Sequence, residues 1–136
     1  MSEPTVFILD SFAILAHLQD EGGQGRILKV LTAAQQGNCK ALLSLINLGE
    51  VAYLVERRRG LRIAQAVLAA IDILPLEILP VDRETVMTAA HLKARFPIAF
   101  ADAFAAAAAQ TLDATLLTGD PEFQALGEVI RIEWLS

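Results

Sequence analysis

The stretch Thr5-Val6-Phe7-Ile8-Leu9-Asp10-Ser11 runs through apolar or β-branched side chains straight into a carboxylate. With no polar alternation, it reads as a strand covered on both faces, the kind found in parallel sheets beneath helices. An aspartate ending such a strand stands where an unpaired charge is costly to bury. Asp10 therefore needs a chemical reason to stand there.

Outward from this strand, helical and extended patterns alternate. Ser11 to Leu18 reads as a helix broken by Gly22-Gly23, and Arg26 to Gln36 as a second with Ile27, Leu28, Val30 and Leu31 inward, stopped at Gly37-Asn38. Cys39 to Leu43 is a second strand; Ser44 caps a helix running through Glu50 to Arg58, ended by Gly60. Leu61 to Ile71 forms another helix, Leu76 to Leu79 a third strand between prolines, and Asp82 caps the helix Arg83 to Arg95. Pro97 opens an Ala-rich helix, Ala114 to Leu117 is a fourth strand, and Val129 to Ile132 a short fifth. Strands separated by helices imply parallel crossovers. The expected fold is α/β, a three-layer α/β/α arrangement with a central parallel sheet of about five strands, in a single domain spanning 1–136.

Three more acids share the apolar setting of Asp10: Glu50 in Leu48-Gly49-Glu50-Val51, Asp102 in Phe100-Ala101-Asp102-Ala103, and Asp120 in Thr118-Gly119-Asp120-Pro121. Asp10 and Asp120 end predicted strands, Glu50 lies on the helix after strand two, and Asp102 in the first turns of the helix feeding strand four. Ligand sites of open parallel sheets gather beyond the carboxyl ends of the strands, so all four can face one rim. Two carboxylates ~4 Å apart repel by about 4 kcal/mol at an effective dielectric near 20. A cluster of hard oxygen donors suits Mg²⁺ or Mn²⁺, and Mg²⁺ keeps waters that leave room for a phosphate oxygen and a nucleophile. One ion or two fits the charge, and the chemistry expected is phosphodiester hydrolysis. Asp10 and Asp102 are the first choices for direct ligands, with Asp120 and Glu50 binding directly or orienting waters.

In order, Ile8-Leu9-Asp10-Ser11-Phe12-Ala13, Leu48-Gly49-Glu50-Val51, Asp102-Ala103 and Thr118-Gly119-Asp120-Pro121-Glu122-Phe123 resemble the PIN domain, particularly the VapC-like toxins of toxin–antitoxin modules. The resemblance covers nearly the whole chain. It implies a central parallel sheet, Mg²⁺- or Mn²⁺-dependent cleavage of RNA, a homodimer, and inhibition by a small cognate antitoxin. It assigns metal-site roles to Asp10, Glu50, Asp102 and Asp120, and supporting polar roles to Ser11 and Thr118; Glu122 is left without a role. The chain departs from its relatives at Phe12, where a small polar residue is usual, which puts that residue's supporting hydrogen bond in question.

Composition narrows the field further. With 54% hydrophobic residues in 136, the chain has enough apolar material for one sizeable core. A net charge of −5 argues against broad adhesion to nucleic acid or anionic membranes. Cys39 is the single cysteine, which excludes a disulfide framework, and no Cys/His cluster suggests zinc. The amino terminus lacks the pattern of a secretory signal, and the apolar stretch Ile98 to Leu112 is short for a membrane span and contains Asp102. A cytoplasmic protein without a membrane partner is expected.

Arg57, Arg58 and Arg59 are the densest basic run, readable either as RNA phosphate contacts or as charges suiting a helix carboxyl end before Gly60. Lys93 and Arg95 invite the same two readings. Met87 and Trp134 read as packing residues. Ile63, Val67, Leu68 and Ile71 serve either the core or a dimer surface. Two rivals to the ribonuclease stand beside it. One is a non-catalytic PIN-like module that binds RNA or protein; the other is a phosphoacceptor receiver domain, disfavoured because Ser11, not a second acid, follows Asp10.

Overall fold

The computed structural model describes residues 4–19 and 24–135, so the predicted break at Gly22-Gly23 lies outside the described residues. Strands β1 (Thr5–Leu9), β2 (Cys39–Ser44), β3 (Glu77–Leu79), β4 (Thr115–Thr118) and β5 (Arg131–Trp134) form one parallel sheet in the order β3-β2-β1-β4-β5. Helices α1 (Ser11–Leu18), α2 (Gln24–Gln35), α3 (Leu45–Arg59), α4 (Leu61–Asp72), α5 (Arg83–Arg95) and α6 (Phe100–Thr111) connect the first four strands, and a 3₁₀ turn at Pro121–Leu126 precedes the fifth.

Register explains why the first strand lacks polar alternation. Leu42, Ile8 and Leu116 are laterally aligned and point into a core with α5 and α6; Leu43, Leu9 and Leu117, one residue on, point into a second core under α1 to α4. Successive side chains of a strand face opposite ways, so a centre strand with helices on both sides is apolar throughout. This is the three-layer α/β/α arrangement. Ala103 and Ala105 to Ala109 are all buried, and their small side chains let α6 lie close against the sheet.

The local signals act as their chemistry dictates. Ser44 accepts from the Ile46 amide at 3.2 Å and Asp82 from the Thr85 amide at 2.8 Å, each capping its helix. Gly60 joins α3 to α4 at φ +90°, a conformation that side chains with a Cβ rarely adopt.

Four details differ from the sequence reading. Helix α6 starts at Phe100, not Pro97: Ile98 is buried as an anchor, Ala99 is extended, and Lys93 Nζ holds the Ile98 carbonyl at 2.6 Å. That bond gives Lys93 a structural task. Strand β5 begins two residues late, because the Val129 and Ile130 amides donate to the Leu126 carbonyl at 2.9 and 3.1 Å and finish the 3₁₀ turn. Leu28 is exposed because Ile27, Val30 and Leu31 take the inward face of α2. Met87 and Trp134 are exposed and not packing residues.

The strand order also removes a rival. A receiver-type sheet runs 2-1-3-4-5, whereas this one runs 3-2-1-4-5. The chain moves outward from β1 to β3, then returns to β4 on the other side of β1. The switch point of the sheet therefore lies between β1 and β4, where a crevice opens at their carboxyl ends.

Candidate metal centre

Asp10 leaves β1 at this switch point and is 1% exposed. Its Oδ1 accepts from the Ala13 amide at 2.8 Å as the N-cap of α1, and its Oδ2 accepts from Thr118 Oγ1 at 2.5 Å. Those donors and the helix amino terminus favour the carboxylate. Burial outweighs them: desolvation pushes the Asp10 pKa up to about 7, with the charge of Asp120 adding to the effect.

Thr118, the last residue of β4, is a hinge between two acids. The hydroxyl that donates to Asp10 also accepts from the Asp120 amide at 3.0 Å, so one buried oxygen sets both. Asp120 in turn accepts from the Glu122 amide at 2.9 Å and starts the 3₁₀ turn, with Pro121 fixed at its first position. The turn directs Glu122 back toward α6, where it accepts from the Ala99 amide.

Asp102 sits in the first turn of α6 and is 7% exposed. Desolvation first, then the charges of Asp120, Glu122, Glu50 and Asp10, push its pKa up to about 8. Oxygens of Asp102, Asp120 and Glu122 lie within 4.8 Å of one another. Glu50 comes from α3 and accepts from the Ser11 hydroxyl, which joins α3 to the start of α1. Asp10, Glu50, Asp102, Asp120 and Glu122 all line one cavity of about 410 Å³. Ser11 and Phe12 line it too, as does Arg58 of the basic run.

Sequence reasoning gave Glu122 no role, although Asp-Pro-Glu is a turn signal that returns the glutamate to its own cap. Asn47 it missed altogether. Fully buried one turn before Glu50, Asn47 donates to the Ala101 carbonyl at 3.2 Å and ties α3 to the turn that carries Asp102. At position 12 the usual polar contact is absent: Phe12 lies over Gly119, and Ser11 bonds Glu50. Arg57 stacks over the Tyr53 ring, with its guanidinium 5.2 Å from the centroid, so Arg58 is the one of the three arginines on the cavity wall.

The donor set fits a hard divalent cation. All five carboxylates offer oxygen, the preferred donor of Mg²⁺ and Mn²⁺. Among the described residues the ion pairs are Arg26–Glu133 and Arg131–Asp113, and neither neutralises these acids. The high pKa values of Asp10 and Asp102 are the mark of a cluster that holds protons when no cation offsets its charge.

Thr118→Val tests the hinge. It keeps shape while removing the donor to Asp10 and the acceptor for Asp120, and supporting partners of this kind are worth about 10- to 100-fold in metal affinity or activity. Titrating the variant with Mn²⁺ is expected to show affinity weakened on that scale, with a lower melting temperature.

No curated protein matches the chain. The fold is similar to VapBC2 from Rickettsia felis, solved bound to a DNA fragment from its promoter, with a TM-score of 0.75 at 18% identity over 97% of this chain and 100% of that one. DNA-bound VapBC from Salmonella typhimurium gives 0.73 at 21% identity, covering 95% and 97%. VapC20 from Mycobacterium tuberculosis, a sarcin-ricin loop cleaving toxin, gives 0.68 at 21%, covering 90% and 95%. The PIN domain family model matches residues 7–129, and the chain belongs to that family.

Proposed function

We propose that the protein is a metal-dependent endoribonuclease, the toxin of a toxin–antitoxin pair. The observation that carries this reading is the convergence of Asp10, Glu50, Asp102 and Asp120, from four separate elements, on one cavity at the switch point of the sheet. A divalent ion held there would supply positive charge to a phosphodiester oxygen and lower the pKa of a water. Asp10 and Asp102 would hold it directly. Asp120, Glu50 and Glu122 would complete the oxygen cage and accept protons from waters, while Ser11 and Thr118 orient Glu50 and Asp10. Arg58 offers a charge for a flanking phosphate, and Arg57 and Arg59 add the rest of the basic run for contacts farther along the strand.

RNA as substrate is supported by the activity named for VapC20. A small antitoxin as partner is supported by the VapBC folds. On α4, Ile71 is buried in the core with Ile63 and Val67 packed against it, which leaves the half-buried Leu68 and the exposed Leu61 for an isologous homodimer surface. Among the described residues no helix is long and apolar enough to cross a membrane, and a single-domain cytoplasmic protein fits this role.

Metal removal is the direct test. Incubated with an RNA pool, the purified chain is expected to cut in Mg²⁺ or Mn²⁺, to stop on addition of chelator, and to resume when excess metal is returned. RNA left intact under every metal condition would overturn the nuclease.

A further inference from the structure

We infer that Phe12 is a base-stacking residue, and that the substrate presents an unpaired nucleobase beside the phosphate held at the acids. This rests on the nuclease reading above. The ring is 42% exposed although it follows the buried Asp10 and Ser11, and it lines the same cavity as the four acids. Its position is not slack. A Cβ on Gly119 would stand 2.5 Å from Phe12 Cε1, 2.8 Å from Cζ and 3.3 Å from the Leu135 carbonyl oxygen. Gly119 thus leaves the space in which the ring lies, and the Leu135 amide fastens that edge by donating to the Thr118 carbonyl at 2.8 Å. The ring is seated against the backbone that carries Asp120.

An acidic cavity in a chain of net charge −5 attracts a polyanion poorly. Among the described residues Arg58 is the single basic side chain on its wall. A contact independent of charge has most to add in such a place, and stacking of a base on an aromatic ring is one. Paired bases in a duplex have their faces covered, whereas those of single strands and loops are free to splay onto aromatic side chains. The binding expected is selective for unpaired RNA and shallow in its salt dependence.

The test uses the full chain with Mn²⁺, carrying Asp102→Asn so that RNA survives, and a short single-stranded RNA with 2-aminopurine placed at successive positions. Binding is expected to quench the probe at one position. Phe12→Leu, which keeps apolar bulk without a π face, should raise Kd about five- to a hundredfold and abolish that quench. Phe12→Trp should retain both, and melting temperatures check that each variant folds. Unchanged Kd and quench in Phe12→Leu would overturn the inference and make the ring a protein contact. A parent chain that binds duplex as well as single strand, or binds neither, also overturns it. The two readings fail separately: with the native acids restored, cleavage of RNA despite an inert Phe12→Leu change removes the stacking and leaves the nuclease. Phe12-dependent quenching without cleavage does the reverse.

Discussion

Asp102→Asn is expected to abolish RNA cleavage and, in the same sample, to raise the melting temperature of the metal-free protein at pH 8. The two effects have one cause. Asp102 is buried beside Asp120, Glu122, Glu50 and Asp10, and desolvation together with those like charges holds its pKa at about 8. Asparagine keeps the shape and removes the charge, so the metal-free fold is relieved of repulsion that a cation would otherwise offset. The oxygen cage loses a ligand, and since supporting partners alone are worth about 10- to 100-fold, the loss of activity should exceed about a hundredfold. Asp10→Asn should behave alike, because the amide oxygen can still cap α1 through the Ala13 N–H. Thr118→Val gives the contrast: it lowers activity and stability together. An assay pairing initial cleavage rates with thermal melts in chelator separates these cases. Undiminished cutting by both asparagine variants would remove the acids from the chemistry, and a lowered melting temperature for Asp102→Asn would show that the carboxylate is a structural partner.

Much of this arrangement is legible in the sequence because the signals are local. The strand Thr5 to Leu9 announces burial on both faces, Ser44 and Asp82 announce their caps, and Gly60 its turn, each within a few residues of the atoms involved. The shared cavity follows from topology, since acids at the ends of β1 and β4 must meet at a switch point between those strands. What escaped depends on contacts between distant segments. Asn47 is an ordinary helical residue until its partner, the Ala101 carbonyl of another helix, is known. Phe12 stands in an almost wholly apolar helix, SFAILAHL, whose composition gives no face, so its exposure emerges only when Ala13, Ile14 and Ala16 turn inward. The late start of β5 depends on two amides bonding back to Leu126, a choice that the apolar run Val129 to Ile132 does not record.

The metal-free protein is expected to lose stability as pH rises from about 5 to 8, and divalent metal to restore it, with the restoration growing over the same range. Asp10 and Asp102 have folded pKa values of about 7 and about 8, above the ordinary carboxyl value of 3.8. Between 3.8 and those values the folded chain holds protons that the unfolded chain has released. Stability then falls with pH, because the slope follows the protons bound by the unfolded state minus those bound by the native state. Well below 3.8 neither group contributes a slope, and the loss is complete only once pH is well above the Asp102 value of about 8. Each pH unit within the window is worth at most about 1.4 kcal/mol per group, enough for the fall to be read from melting temperatures. Metal must displace these protons before it binds, which makes its apparent affinity rise with pH until both groups are ionised. Thermal melts from pH 5 to 8.5, with and without Mn²⁺, should show a gap that widens toward pH 8. Calorimetric titration at pH 6.5 in two buffers of different ionisation enthalpy should show proton release on binding. Asp102→Asn narrows the gap from the metal-free side, since its melting curve no longer falls as steeply with pH. A gap independent of pH, with no protons released, would mean that the cation is held elsewhere than at Asp10 and Asp102.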